Sequence, residues 1–258
     1  MPDQPAPSLF EAANGSFRVY LIDEHILAVE GGIEDGSDEL FRSALTPSTR
    51  RVVLNSVGGS VTPVLNMADE IRSRRLDVEV RGLCASSCAN YLFVAGERKV
   101  LGPIALVLWH GGPGGGISES EQTSRFRSAL LRSNAQRSES EIEVIVQNAM
   151  TRWRQEITRQ EELYRQLGIS TRILYDVNIS QGLNRRDVLT GEVARTNFRW
   201  VPADVLASCI QVRGIEAAQE PANAEDWGRI LATIGAPDRL TIGTVTDGDQ
   251  LCEQAPPP

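Results

Sequence analysis

Three short apolar segments, each ending in a turn of small residues, constrain the fold of this chain more than any other feature. They are Arg51–Asn55, Val78–Leu83 and Ala105–Leu108. Thr62–Arg74, between the first two, repeats apolar residues at helical spacing, and Ala89–Ala95 is a second helical segment. This alternation predicts an α/β fold with a parallel sheet and right-handed crossovers. The small-residue turns then fall at the carboxyl ends of the strands, where such folds place their active sites.

The chain is expected to consist of a disordered start, an α/β domain with a helical arm, and a C-terminal extension. Residues 1–16 are rich in Pro, Ala, Asp and Asn without periodicity, which predicts disorder. The α/β domain is predicted to cover residues 17–212, and residues 213–258 to form a C-terminal extension. Within the domain, Ser118–Leu167 is long, polar and helix-favouring, so it is expected to protrude as a helical arm.

The composition argues against two classes of partner, nucleic acids and membranes. The 258 residues are 41% hydrophobic and 23% charged, which is ordinary for a globular protein. A net charge of −8 argues against a nucleic-acid partner. No segment approaches the roughly 20 apolar residues of a membrane helix, and the acidic, proline-containing start lacks the features of a signal peptide. We therefore expect no membrane span and a cytoplasmic location, or a periplasmic one if a leader was removed.

The four cysteines leave the redox state open. In a reducing compartment all four are expected to be thiols. In an oxidising one, Cys209 and Cys252 could pair, although sequence alone does not fix connectivity. Cys84 and Cys88 could be a redox or metal pair, but their spacing is not the usual one and no second Cys/His pair lies nearby, so no metal is expected.

Ser87 is the candidate nucleophile. It lies in the turn Cys84–Ala89, whose small residues allow a sharp bend and close approach of a substrate carbonyl. A serine just before a helix also brings the N–H of the next residue, Cys88, close to its hydroxyl, where that N–H can stabilise an oxyanion. The alternative is that Ser86 or Ser87 only caps the following helix.

His110 is the candidate general base, because it follows the third apolar segment and a neutral imidazole accepts a proton near pH 7. The other histidine, His25, falls in a predicted turn without a partner nucleophile. Gly58 and Gly59 form the candidate oxyanion turn, since glycines allow positive φ and expose backbone N–H groups. The N–H of Gly59 is the expected donor.

These residues carry a family resemblance. Leu54–Gly59, read LNSVGG, resembles the NSPGG turn of the Clp protease proteolytic subunits and their relatives in the ClpP/crotonase superfamily. The turn CASSCA at Cys84–Ala89 resembles the nucleophile segment of that family, and counting back from Ala95-Gly96 places Ser87 on the nucleophile. Trp109-His110 and the following Gly/Pro loop are similar to the segment of the catalytic histidine. The double-cysteine form of the serine turn resembles an uncharacterised bacterial branch.

The resemblance implies a ClpP/crotonase-type spiral of ββα units and a serine peptidase. Ser87 would be the nucleophile, His110 the base, and the N–H groups of Gly59 and Cys88 the oxyanion hole, with no cofactor. The implied substrates are peptides or unfolded polypeptides. A homo-oligomer contacting through the arm is also implied, while any unfoldase or adaptor partner is unknown.

The third member of the triad is the least specific match. Asp187, followed by Val188-Leu189-Thr190, best resembles the segment that carries the family aspartate, with Asp176 as the runner-up. Asp187 could equally cap the next helix. Two other classes of function stay open: a non-catalytic ClpP-like scaffold, and a crotonase-like acyl-CoA enzyme in which the same N–H groups polarise a thioester.

Overall fold

A computed structural model describes residues 6–133, 137–175, 184–190, 193–195, 198–217, 220–236 and 240–244. The helices are α1 (Leu9–Ala13), α2 (Ser37–Ala44), α3 (Val61–Ser73), a π-helix (Cys88–Phe93), α4 (Glu119–Arg132), α5 (Glu139–Leu167), α6 (Arg172–Tyr175), α7 (Ala203–Ser208) and α8 (Ala224–Ile234). The strands are β1 (Arg18–Leu21), β2 (Ile26–Glu30), β3 (Arg51–Ser56), β4 (Asp77–Ala85), β5 (Lys99–Leu101), β6 (Leu106–Trp109), β7 (Asn184–Arg186), β8 (Val193–Arg195), β9 (Phe198–Trp200), β10 (Ile215–Ala217) and β11 (Ile242–Thr244).

The described strands form a nine-stranded, mostly parallel sheet and a separate hairpin of β7 and β8. Along the main path the order is β1-β2-β3-β4-β6-β9-β11, and β5 with β10 extends from the side of β4. The pairs β1–β2 and β6–β9 are antiparallel, and the others are parallel. The predicted α/β class is confirmed.

Strand β4 organises the sheet because it serves two neighbours on the same side. Its first half pairs with β5, with Val78 opposite Lys99, and its second half pairs with β6, with Leu83 opposite Leu106. The split lets β6 continue beside the carboxyl end of β4, where the serine turn begins. A nine-residue strand with neighbours on both edges is nearly all buried, which explains its continuous apolar sequence.

Two hydrophobic clusters cover the faces of the sheet. The larger one packs the buried positions of α3 against β3 and β4, and it includes Val64, Leu65, Ala68 and Ile71 at the predicted helical spacing. Each buried Val, Leu or Ile side chain of this set stabilises the fold by about 1.5–3 kcal/mol. The second cluster places Leu106 and Leu108 of β6 against α1 and α8.

Residues 9–13 differ from the predicted disorder. Ser8 and Glu11 form a capping box at the start of α1, and the carbonyl of Leu9 accepts a hydrogen bond from the buried amide of Asn55 at 3.0 Å. Val57 N–H donates to Ala13 O at 3.1 Å. A five-residue helix is too short to be stable alone, so these tertiary contacts hold it.

The C-terminal part also differs from the predicted boundary at residue 212. Strand β10 pairs in parallel with β5, and β11 pairs in parallel with β9, so both belong to the main sheet. Trp227 of α8 is 3% exposed, and its ring meets the ring of Trp200 edge to face at 5.3 Å. Residues 213–244, where described, are part of the domain core rather than an appended unit.

The predicted helical arm is present as the hairpin of α4 and α5. Ile142, Val146, Met150 and Trp153 pack against Phe126 and Leu130 to give it a core of its own. Helix α5 then continues over α3, where Thr62 Oγ1 donates to Glu156 Oε1 at 2.8 Å and Arg159 donates to Asn66 Oδ1 at 2.9 Å. The arm is therefore anchored to the domain along its second half.

None of the helices seen in the described ranges is both long enough and apolar enough to cross a membrane.

Replacing Trp227 by Ala should lower the free energy of unfolding by about 3–5 kcal/mol, because it opens a cavity in the second cluster. Trp227→Phe, which keeps an aromatic ring, should cost clearly less. Urea titration followed by circular dichroism measures both. A cost below about 1 kcal/mol for the alanine variant would place α8 outside the core.

Candidate active site

The three turns singled out in the sequence meet at one edge of the sheet. Strands β3, β4 and β6 are adjacent and parallel, so their carboxyl ends lie side by side. Ser86 N–H donates to Leu108 O at 3.0 Å, which ties the serine turn to the strand that carries His110. The register of β3 against β4 shifts between Leu54 and Ser56, directly before the glycine turn.

Gly58 and Gly59 must be glycines for this approach. Gly58 has a φ of +84°, and a Cβ there would lie 2.6 Å from Ala85 O and 2.7 Å from Ser87 Oγ. Gly59 has a φ of +149°, and its Cβ would lie 1.9 Å from Ile33 O. The backbone of Ile33 is also hydrogen-bonded to the glycine turn, because Ile33 N–H donates to Gly58 O at 2.8 Å. Both glycines have the positive φ that the sequence analysis expected of this turn, and their role as an oxyanion turn stays a prediction.

Ser87 is 3% exposed and pairs with the glycine turn. Its Oγ accepts a hydrogen bond from Gly59 N–H at 2.7 Å and donates one to Gly59 O at 3.0 Å. The preceding Ser86 has a φ of +58°, a left-handed conformation that costs a non-glycine residue about 1–2 kcal/mol. The strand therefore turns sharply into the π-helix, a helix type common at functional sites.

The two predicted oxyanion donors differ in whether the N–H group already has a hydrogen-bond acceptor. The N–H of Gly59 is occupied by Ser87 Oγ. The N–H of Cys88 begins the π-helix and donates to no group within the described part of the chain. The Gly59 N–H thus holds the Ser87 hydroxyl in place.

His110 lines the same cleft as Ser87. Its ring is partly buried and lies 5.6 Å from the ring of Phe198, centre to centre. Burial lowers the pKa of His110 below its ordinary value of 6.5. The imidazole is therefore neutral near pH 7 and can accept a proton, although no hydrogen bond joins it to Ser87 in the described structure.

The cleft has a volume of about 400 Å³. Its walls are the glycine and serine turns, the loop Gly111–Gly115, and arm residues that include Gln122, Arg125 and Trp153. Buried Gln160 of α5 donates to Pro113 O at 2.7 Å and accepts from Tyr91 at 2.7 Å. The arm therefore forms one wall of the cleft and fixes the loop after His110.

Asn90 was not singled out from the sequence, yet it holds the histidine loop. Its Nδ2 donates to Gly111 O at 2.7 Å, directly after His110, and the residue is 2% exposed. Its Oδ1 is buried and has no hydrogen-bond partner among the described residues. A polar residue inside the apolar segment that follows Ser87 was the available signal.

Among the described residues Asp187 forms no hydrogen bond with His110, and its role as the group that orients His110 stays a prediction. Its Oδ1 accepts hydrogen bonds from the N–H groups of Leu189 and Thr190, both at 3.0 Å. These contacts make a local turn, and the next described element is strand β8 (Val193–Arg195), not the helix that the capping alternative required. The runner-up, Asp176, lies outside the described residues.

The three cysteines that the structure describes are all disulfide-bonded, so the redox state that the sequence left open is the oxidised one in this part of the chain. Cys84 and Cys88 form a disulfide across the serine turn. Cys209 is also disulfide-bonded, and Cys252, its suggested partner, lies outside the described residues. The described part of the chain contains no group of three His, Cys, Asp or Glu side chains that could hold a metal ion.

Comparison with known proteins gives little similarity. No family model matches the chain. A segment of 118 residues is 31% identical to an uncharacterised aminotransferase of Schizosaccharomyces pombe. The aligned segment covers 43% of this chain and 26% of that protein. The chain thus spans about a quarter of the length of this curated relative.

This similarity overturns the expected enzyme class. The sequence predicted a ClpP-like serine endopeptidase, which is a hydrolase, whereas the similar curated protein is named a transferase. The prediction of a serine endopeptidase is therefore wrong on this comparison.

Gly58→Ala should lower the free energy of unfolding by about 2 kcal/mol or more, because the new Cβ meets Ala85 O and Ser87 and the residue keeps a positive φ. Gly36→Ala is the matched control, since Gly36 has a φ of +92° but no atom lies within 4 Å of the place a Cβ would take. Urea unfolding compares the two variants. Equal costs would show that close approach at Gly58 contributes nothing.

The buried His110 should make stability depend on pH. Its folded pKa lies below the unfolded value of about 6.5, so the folded state binds fewer protons, and stability falls as pH drops below about 6.5. His110→Gln should remove this contribution. Urea unfolding between about pH 5 and pH 8 should show a steeper acid-side loss for the wild type than for the variant. Parallel curves would contradict a lowered pKa of His110.

Proposed function

We propose that the cleft transfers an acyl group through Ser87. The observation that carries the proposal is the placement of Ser87 Oγ, 2.7 Å from Gly59 N–H, in a cleft that His110 also lines. A backbone N–H directed at Oγ stabilises negative charge that develops on the oxygen. A neutral imidazole in the same cleft supplies the base.

The chemistry begins when the Ser87 hydroxyl leaves Gly59 O and turns its proton toward His110. As His110 takes the proton, Oγ forms a bond to the acyl carbon, and the leaving thiol or alcohol departs with a proton returned by the imidazolium. An amine or hydroxyl acceptor then attacks the acyl-Ser87 ester and gives its proton to His110. The proton returns to Oγ, and the serine is regenerated.

The charge on the carbonyl oxygen requires a donor that is not already engaged. Cys88 N–H lies next to Ser87 in sequence and has no partner in the described part of the chain, so it suits this role. Gly59 N–H becomes a second donor once Oγ has bonded to carbon and moved. Removing one such donor typically costs two to three orders of magnitude in rate, about 10²–10³-fold.

The similar Schizosaccharomyces pombe protein is named an aminotransferase, which supports a transferase over a hydrolase at the level of enzyme class alone. The suitable donors are esters or thioesters, whose leaving groups need less protonation than an amine. A thioester donor would connect this proposal with the acyl-CoA alternative. The homo-oligomer and the ββα spiral of the ClpP/crotonase superfamily remain part of the proposal, and the parallel order β2-β3-β4-β6 supports the spiral alone.

Amino-group transfer itself suits the chain poorly. That chemistry uses pyridoxal phosphate held on a lysine as a Schiff base. The chain has a single lysine, Lys99, which is 5% exposed on β5 and donates to Gly96 O at 2.6 Å. Burial lowers its pKa to about 8, but it lies outside the cleft of Ser87 and His110. The residues present therefore do not fit this cofactor.

A non-catalytic scaffold is the second candidate. Its support is that both hydrogen-bonding directions of the Ser87 hydroxyl are satisfied by Gly59, and that Asp187 serves its own turn. In a scaffold, these contacts would only close the edge of the sheet.

Incubation with 4-nitrophenyl acetate should release nitrophenolate and leave one acetyl group on Ser87. Added butylamine should speed turnover and yield N-butylacetamide, because the acyl group passes to the acceptor. Ser87→Ala should reduce nitrophenolate release by about 1,000-fold or more. Intact-protein mass spectrometry, peptide mapping and product chromatography measure these outcomes.

Ser86→Gly is the matched control, because glycine adopts the positive φ of this position and keeps Ser87 in place. It should retain acetylation. If the folded wild type takes up no acetyl group, or if Ser87→Ala is acetylated equally, acyl transfer through Ser87 is wrong and the scaffold is favoured.

A further inference from the structure

We infer that the Cys84–Cys88 disulfide is a clamp, installed during folding, that positions Ser87 against Gly59. The bond joins the end of β4 to the first residue of the π-helix, so it spans Ser86 and Ser87. The identity of Ser87 as nucleophile rests on the proposed function, whereas its position against Gly59 does not.

The clamp acts on a turn that needs an external constraint. Ser86 adopts a φ of +58°, which a serine populates rarely when unconstrained. The two sulfurs fix the distance between the residues that enter and leave the turn, and this limits the conformations open to Ser86 and Ser87. The disulfide therefore selects the turn that brings Ser87 Oγ to 2.7 Å from Gly59 N–H.

Burial determines when the clamp forms. Cys84 and Cys88 are both 0% exposed, so a reductant or oxidant cannot reach the sulfurs in the folded chain. Closing the bond removes two protons and two electrons from the thiols, which pass to a disulfide-bearing oxidant that leaves as a dithiol. This exchange must precede burial of the turn, so the clamp belongs to folding and is not a switch in the folded protein.

The same clamp indicates the conditions under which the protein matures. Cys209 is disulfide-bonded as well, so all three described cysteines are oxidised. Disulfides of this kind form and persist where the surroundings are oxidising. The site is thus expected to assemble only in such surroundings.

The test uses the Gly59 amide proton as a sensor, because its acceptor is Ser87 Oγ. The neighbouring Gly58 N–H donates to Ser56 Oγ at 3.0 Å and serves as the internal control. In Cys84→Ala/Cys88→Ala, hydrogen exchange by NMR should accelerate about tenfold or more at Gly59 and little at Gly58. Ser87→Ala, which removes the acceptor, should accelerate Gly59 in the same way.

Addition of Ser86→Gly to the cysteine double variant is the rescue, since glycine adopts the turn without a clamp. Protection of Gly59 should return at least in part. Cys209→Ala, which removes a disulfide elsewhere, should leave Gly59 protection unchanged. Unchanged exchange at Gly59 in the double variant, or equal acceleration at Gly58 and Gly59, would overturn the positioning role.

Acetylation of Ser87 by 4-nitrophenyl acetate adds a chemical measurement, and its rate should fall about tenfold or more in the double variant. If the wild type is not acetylated, the proposed function fails while the exchange experiment still decides the clamp. Folded wild type should also keep the bond in millimolar dithiothreitol, as measured by thiol alkylation. Rapid reduction without denaturant would overturn its installation during folding.

Discussion

The site depends on the approach of the Gly58–Gly59 turn to Ser87. Two opposed hydrogen bonds join Ser87 Oγ to the N–H and C=O of Gly59, and they form only because no Cβ separates the two turns. The approach also fixes Ile33, whose backbone bonds to Gly58 and Ser60 on the other side. A larger residue in the glycine turn would push apart β3 and β4, the central pair of the sheet. The same contacts therefore close the edge of the sheet and assemble the site.

Much of this arrangement could be predicted from the sequence because it follows from strand order. Parallel neighbours end at one edge, so Gly59, Ser87 and His110 had to lie near one another once β3, β4 and β6 were assigned. Asp187 could not be assigned in this way, because an aspartate two residues before a free N–H can always make its own turn. Helix α1 was missed although Ser8 and Glu11 have the spacing of a capping box, because a five-residue helix is stable only through tertiary contacts such as those from Asn55 and Val57.

The redox state and the enzyme class were beyond the sequence for different reasons. Whether Cys84 and Cys88 pair depends on the distance between the two ends of a turn, which spacing alone does not give. The enzyme class depends on what enters the cleft, since the same serine, imidazole and backbone donors serve several reactions on related folds. Under the proposed function the contacts of Ser87 leave the acceptor of the acyl group open, and the acceptor decides the class of reaction.

The arm is better understood as part of the site than as an appendage. Gln160 is fully buried and joins Tyr91, which follows the serine turn, to Pro113, which follows the histidine. Leaving any member of such a buried network unpaired is costly, so α5 cannot move away without disturbing both turns. Ion pairs such as Arg159–Asp69 lie at the exposed margin of the contact and contribute little by comparison. Gln160 therefore links the position of α5 to the π-helix that follows Ser87 and to the loop that follows His110.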